Sequence, residues 1–203
     1  MAFPLLRSVL NLPAVYSLFS SIVGGSKGRS LFVNTYIRPR AGDRVLDIGC
    51  GPGSLLPYLP GVFYIGFDSN FAYIETAKRR YAGVAEFRCL EVTRDAVGEG
   101  QFDIVIASAV LHHLDDRQSS ELFQLAHTAL RPAGRLITLD GCYVDGQSRF
   151  ARFLLDRDRG RFVRNEGQYM KLARTAFQDI KVSIRHDLSR PVPYTHIILE
   201  CIK

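Results

Sequence analysis

Short apolar runs and longer amphipathic stretches alternate along most of this chain. Five of the runs, Arg44–Cys50, Val62–Asp68, Ala85–Glu91, Phe102–Ser108 and Gly134–Asp140, are bounded by glycine or a polar residue. Near-continuous apolar character over so few positions is that of parallel strands covered on both faces. The stretches between them have a helical period. "FAYIETAKRRYA" sets Ile74, Ala77 and Tyr81 on one side, while Lys78, Arg79 and Arg80 point largely elsewhere. "DDRQSSELFQLAHTALRPAG" opens with a cap at Asp115 or Asp116 and is expected to close at Pro132 and Gly134. Strands alternating with helices predict a doubly wound, Rossmann-like α/β domain.

The last part of the chain changes pattern. In "DIKVSIRHDL", Ile180, Val182 and Ile184 alternate with Lys181, Ser183 and Arg185, whereas "YTHIILECI" is almost continuously apolar. Only "SRPVP" separates the two, too short for a helical crossover, so they are expected to form an antiparallel hairpin. The alternating strand suits a sheet edge and the apolar one a place between covered neighbours. The sheet then has seven strands, the last running antiparallel.

The first 25 residues, "MAFPLLRSVLNLPAVYSLFSSIVGG", are apolar but interrupted by Pro4, Pro13, Arg7, Asn11 and several serines. They fall short of the roughly 18 uninterrupted apolar residues of a membrane span and read as amphipathic helices covering part of the domain. Over the whole chain of 203 residues, 47% are apolar and 23% charged, the balance of a folded domain rather than a disordered one. We divide it into an N-terminal helical cap (1–39), a binding core (40–141), a cover (142–168), and a last helix with the C-terminal hairpin (169–203). Cys50, Cys89, Cys142 and Cys201 are far apart and form no C-x-x-C, which suits a reducing, cytoplasmic compartment better than a disulfide framework or a zinc site. Much of the net charge of +6 gathers at Arg149, Arg152, Arg157, Arg159, Arg161 and Arg164, against Asp156 and Asp158. Such a cluster suits an anionic partner or a solvated basic face.

The first strand runs into "VLDIGCGPGSLLPYL", which places Gly49, Gly51 and Gly53 on alternate positions. Without Cβ atoms, such a turn lets backbone N–H groups come close to a ligand. A dinucleotide loop would read G-x-G-x-x-G, and its last glycine is here Ser54. The second strand ends in Asp68, a two-acceptor group matched to the two hydroxyls of a ribose. The third ends in Glu91, able to accept from an adenine amino group, and the fourth carries backbone carbonyls at Ala107 and Ser108. Oxygens ringing the loop favour a ligand with ribose, adenine and an ammonium group over a diphosphate.

With "RVLDIGCGPG", "YIGFDSN", "FRCLEV", "FDIVIASAVLHHLDD" and "LRPAGRLITLD" in this order and spacing, the chain resembles the class I S-adenosylmethionine-dependent methyltransferases, in particular the small-molecule, type 11/12-like branch. The resemblance implies a sheet of strand order 3-2-1-4-5-7-6 with strand 7 antiparallel, and S-adenosyl-L-methionine as cofactor. Carried over residue by residue, it implies that Asp47, Gly49, Cys50, Gly51 and Gly53 hold the methionine portion and Asp68 the ribose. Ser69, Asn70, Leu90, Glu91 and Val92 would surround the adenine, with Ala107 or Ser108 at the methionine amine. Glu91 stands where many members have Asp, one methylene shorter.

A sulfonium already activates its methyl group, so no metal or covalent nucleophile is expected. The protein's task is to align an acceptor and exclude water, with a general base where the acceptor is a hydroxyl. His113 of "VLHHLDD" is the candidate base, because adjacent residues at a helix start project about 100° apart and one of His112 and His113 at most faces the pocket. In the cover, Arg159 or Arg164 is expected to contact an anionic or sugar-like small molecule, between Tyr143 and Tyr169 as walls. The competing reading is internal ion pairing of these arginines with Asp156, Asp158 and Glu166. No stable nucleic-acid binding and no integral membrane association are expected. RNA or protein methyl transfer, or non-catalytic binding of an adenosyl ligand, stay open as alternatives.

Overall fold

The computed structural model describes residues 25–157 and 160–203, so the helices expected before residue 25, and Arg159, lie outside the described residues. Helix α1 (Ser26–Phe32) runs into a π-helical turn, Val33–Ile37, which stops where Arg38 adopts φ 45°. Strand β1 (Arg44–Ile48), β2 (Phe63–Asp68), α2 (Phe71–Arg80), β3 (Glu86–Cys89), a single turn α3 (Arg94–Val97) and β4 (Phe102–Ser108) follow. After them come α4 (Asp116–Ala129), β5 (Leu130–Tyr143), α5 (Arg149–Asp156), β6 (Arg164–Asn165), α6 (Glu166–Ala173), β7 (Asp179–Arg185) and β8 (His196–Ile202).

The strands lie in the order β3-β2-β1-β4-β5-β8-β7, with β6 paired to β5 off that path. β8 is antiparallel to both β5 and β7, and the other pairings are parallel. This is the anticipated seven-strand topology, with numbering shifted by one because the two-residue β6 was not foreseen. Alternate residues of the central strands feed two cores, one on each face. Ile104 and Ile106 of β4 join Phe32, Ile37, Val45, Ile74 and Ile137, while Val105 and Ala107 join Leu46, Phe67, Phe123 and Leu136. Burial on both faces is why these strands read as unbroken apolar runs.

Several boundaries differ from expectation. Helix α4 is capped by Asp115, whose carboxylate accepts from Gln118 N–H in a reciprocal capping box. It ends at Ala129, ahead of Pro132 and Gly134, because Leu130 is already extended and strand pairing resumes there. Strand β3 stops at Cys89, leaving Leu90 and Glu91 beyond the ladder. Strand β5 instead continues past Asp140 to Tyr143, since Cys142 and Tyr143 pair with β6. Among the described residues no helix is long and apolar enough to cross a membrane.

Candidate active site

The carboxyl ends of β1 to β5 lie at one end of the sheet, where loops rather than strands shape the surface. After β1 the chain turns through Gly49, Gly51 and Gly53, with φ of 71°, 54° and 74°. Gly49 is needed twice over, since a Cβ there would also meet Val110 Cγ2 at 2.6 Å. Around Gly51 nothing among the described residues lies within 4 Å of such a Cβ, which leaves room there for a ligand. The turn is tied down by Gly49 and Cys50, whose N–H groups both donate to Phe67 O of the neighbouring strand.

Asp68 ends β2 with its carboxylate held at both oxygens: Oδ2 accepts from Gly51 N–H at 2.9 Å and Oδ1 from Asn70 N–H at 2.8 Å. Each oxygen keeps a second acceptor site, as two neighbouring hydroxyls require. Asn70 is the cap of α2, its Oδ1 accepting from Tyr73 N–H. Asp47 is buried, and Tyr64 donates its hydroxyl to it at 2.6 Å. Burial pushes the Asp47 carboxyl up to about 7, against the pull of the Tyr64 hydroxyl and with a smaller push from the charge of Asp68. The Cys50 thiol is buried against Gly66, and burial raises it far above the ordinary thiol range, so it serves as packing. Ser69, Glu91 and Leu90 are exposed and Val92 is half-buried at the same end, beside Phe71, which opens α2 with 69% of its surface exposed. Phe71 is not among the residues expected at the site from the sequence. The signal was present as an aromatic directly after "DSN", where a packing residue would ordinarily be buried.

Ala107 is buried and Ser108 half-buried at the end of β4. Beyond them Ala109 takes φ 60° and donates to Leu139 O, which swings the chain into a 3₁₀ turn, Leu111–His113. The expected base, His113, is exposed on this turn. The neighbouring His112 is buried and has a carboxylate partner. Its Nδ1 lies 2.7 Å from Asp140 Oδ1, which also accepts from the His112 backbone N–H at 3.1 Å. Assigned from that partner, the ring carries its proton on Nδ1 and its basic lone pair on Nε2. The His113 ring sits against it at 4.1 Å between centroids.

The cover departs further from expectation. Arg164 is buried, and among the described residues its ion pair is with Asp116 of α4 rather than with Asp156 or Glu166. Tyr169 is fully buried in the core, its hydroxyl donating to Gly141 O at 3.0 Å, so it is no pocket wall. Tyr143 stays half-exposed, with its hydroxyl on Asp156 and the Arg152 guanidinium 5.2 Å from its ring centre. All four cysteines are free. Among the described residues no three histidine, cysteine or acidic side chains converge on a point that could hold a metal ion.

Residues 45–134 match a family model described as a methyltransferase domain. The chain is 27% identical over 157 residues to phosphoethanolamine N-methyltransferase 1 of Triticum aestivum, covering 73% of this chain and 31% of that protein. It is 35% identical over 105 residues to the 27-O-demethylrifamycin SV methyltransferase of Amycolatopsis mediterranei, covering 48% of this chain and 38% of the relative. The chain thus spans about a third of the length of these curated relatives. Among solved structures, phosphoethanolamine N-methyltransferase 2 of Haemonchus contortus in complex with S-adenosyl-L-methionine superposes with a TM-score of 0.77 at 16% identity. That match covers 98% of this chain and 59% of the other.

Proposed function

We propose, from the premise that this chain carries a class I S-adenosylmethionine-dependent methyltransferase domain, that it transfers a methyl group to a small acceptor bearing an anionic or sugar-like group. The observation that carries the reading is Asp68: a carboxylate oriented by two backbone N–H groups, at the strand tip beside an open glycine turn.

The residues present fit the cofactor. Asp68 accepts the ribose hydroxyls with its remaining lone pairs. Phe71 and Leu90 offer exposed apolar surface to the adenine, flanked by Ser69, Asn70, Glu91 and Val92. The turn Gly49–Gly53, with Asp47 beneath it, takes the methionine portion, and Ala107 or Ser108 its amine. When bound, S-adenosyl-L-methionine supplies a methyl group already activated by its positive sulfur. What remains for the chain is to hold the acceptor in line, keep water out and take up a proton. We assign that last role to His112 rather than His113. With the acceptor's oxygen or nitrogen held in line with that methyl group, the proton it loses on transfer would pass to His112 Nε2. Asp140 fixes the ring and balances the imidazolium formed.

An anionic acceptor is supported by Arg152, which stands over the half-exposed Tyr143, and by the phosphorylated amine in the names of several relatives. The test is calorimetry with S-adenosylhomocysteine and NADH, followed by radiolabelled methyl transfer to phosphorylated amines, hydroxy acids and nucleotide sugars. Binding of the first ligand with transfer to an anionic member supports the reading. Binding of NADH instead overturns the cofactor, and transfer only to uncharged acceptors overturns the anionic one.

A further inference from the structure

We infer that Arg164 is a positioning residue: its guanidinium holds the turn Leu111–His113 so that the His112 ring stays on Asp140. This rests on the role given to His112 above, and it explains an arginine that the acceptor reading leaves without a task.

All five guanidinium N–H bonds are committed. Nε and Nη2 donate to Asp116 Oδ1 at 3.0 and 2.8 Å. Nη1 donates to Leu111 O and Phe162 O, both at 3.0 Å, and Nη2 also to Leu114 O at 2.7 Å. Leu111 and Leu114 flank the two histidines, so one planar group grips the turn at both ends and the first residue of α4 besides. The same segment reaches His112 itself. Phe162 N–H donates to His112 O at 3.0 Å, and Gly160 lies so close that a Cβ would come within 2.1 Å of His112 Cδ2. Strand β6 then ties Arg164 to Cys142, two residues beyond Asp140. Both partners of the His–Asp pair are therefore referred to one short segment.

Charge pairing alone does not account for the arrangement. The Arg164 side chain is 5% exposed whereas that of Asp116 is 81% exposed, so a surface carboxylate is matched to a buried cation. Burying a guanidinium is costly unless every donor is used. Here the donors go mostly to carbonyls around the histidines, in a fork that a lysine ammonium, donating from a single point, cannot reproduce.

The test is NMR of protein labelled with 15N-histidine, which needs no acceptor. The chain has five histidines, and His112→Asn identifies the His112 signals by their loss. The wild-type protein is expected to show His112 in the Nδ1–H tautomer alone. In Arg164→Lys, with S-adenosylhomocysteine affinity and circular dichroism unchanged, the His112 signals move toward tautomer-averaged values. Its Nδ1 proton exchanges with water at least about tenfold faster, while the signals of His127, His186 and His196 stay put. Should Arg164→Lys fail to fold, Asp116→Ala removes an exposed side chain, loosens two of the five bonds and is expected to move the same signals in the same direction. A folded Arg164→Lys, or failing that a folded Asp116→Ala, with unchanged His112 signals overturns the inference. If His112→Asn leaves methyl transfer at the wild-type rate, the proton-acceptor role falls, and the spectra still decide whether Arg164 positions the ring.

Discussion

At the tips of β1 and β2, the contacts that shape the site are short-range along the chain. Asp68 reaches Asn70 two residues on and Gly51 seventeen residues back, and Tyr64 reaches Asp47 across the same seventeen. At the tips of β4 and β5 the spans are longer: His112 meets Asp140 across 28 residues, and Arg164 meets Leu111, Leu114 and Asp116 across 53, 50 and 48. The first half of the site is made by β1, β2 and the turns that follow them, largely from backbone groups and two carboxylates. The second joins the turn after β4 to Asp140 of β5, and Arg164 of the cover packs against it. Cofactor binding and proton removal should therefore be separable by mutation.

The sharpest separation is His112→Asn, expected to slow methyl transfer by about 10²–10⁴-fold, the usual range for loss of a general base. S-adenosylhomocysteine affinity, read by calorimetry, should stay within about twofold of wild type, and a parallel fall in that affinity would break the comparison. The converse variant is Asp68→Ala. It removes a charged acceptor and frees the turn at Gly51, and should weaken S-adenosylhomocysteine by at least about a hundredfold, roughly 3 kcal/mol. Its His112 NMR signals should not move.

Gly49→Ala is expected to cost about 1–3 kcal/mol in urea unfolding, from a left-handed residue forced against Val110. If ligand affinity fell while stability did not, the turn would be poised for the ligand rather than for its own packing. The smallest expected effect is on pH dependence. The Asp47 carboxyl titrates at about 7 when folded, above its unfolded value near 3.8, so the folded state holds the extra proton between these limits. That contribution to stability is complete below about 4 and is lost as pH rises to about 7; Asp47→Asn should flatten this part of a melting-temperature profile.

What could be read beforehand follows the same division. The strand order, the glycine turn and Asp68 were legible because period, turn chemistry and strand ends are local properties. His112 and His113 are indistinguishable from sequence, because neighbours on a tight turn cannot be told apart without knowing where the β5 carboxylate lies. For Arg164 the sequence offered the nearby acids Asp156, Asp158 and Glu166, yet the observed partner sits on a helix 48 residues earlier. Tyr169 was within reach, since with Leu172 and Ala173 it forms the buried stripe of α6, a spacing that marks core rather than pocket. Strand β6 has only two residues and no period to read.

The reversed direction of β8 has a practical side. His196 lies opposite Gly141, so the hairpin loop carrying Tyr194 arrives at the end of the sheet that holds the candidate site. The strand then runs away from it until Lys203 exchanges backbone bonds with Ala133 and Gly134. Whatever follows Lys203 would consequently leave from the opposite end of the sheet, away from the glycine turn and from His112.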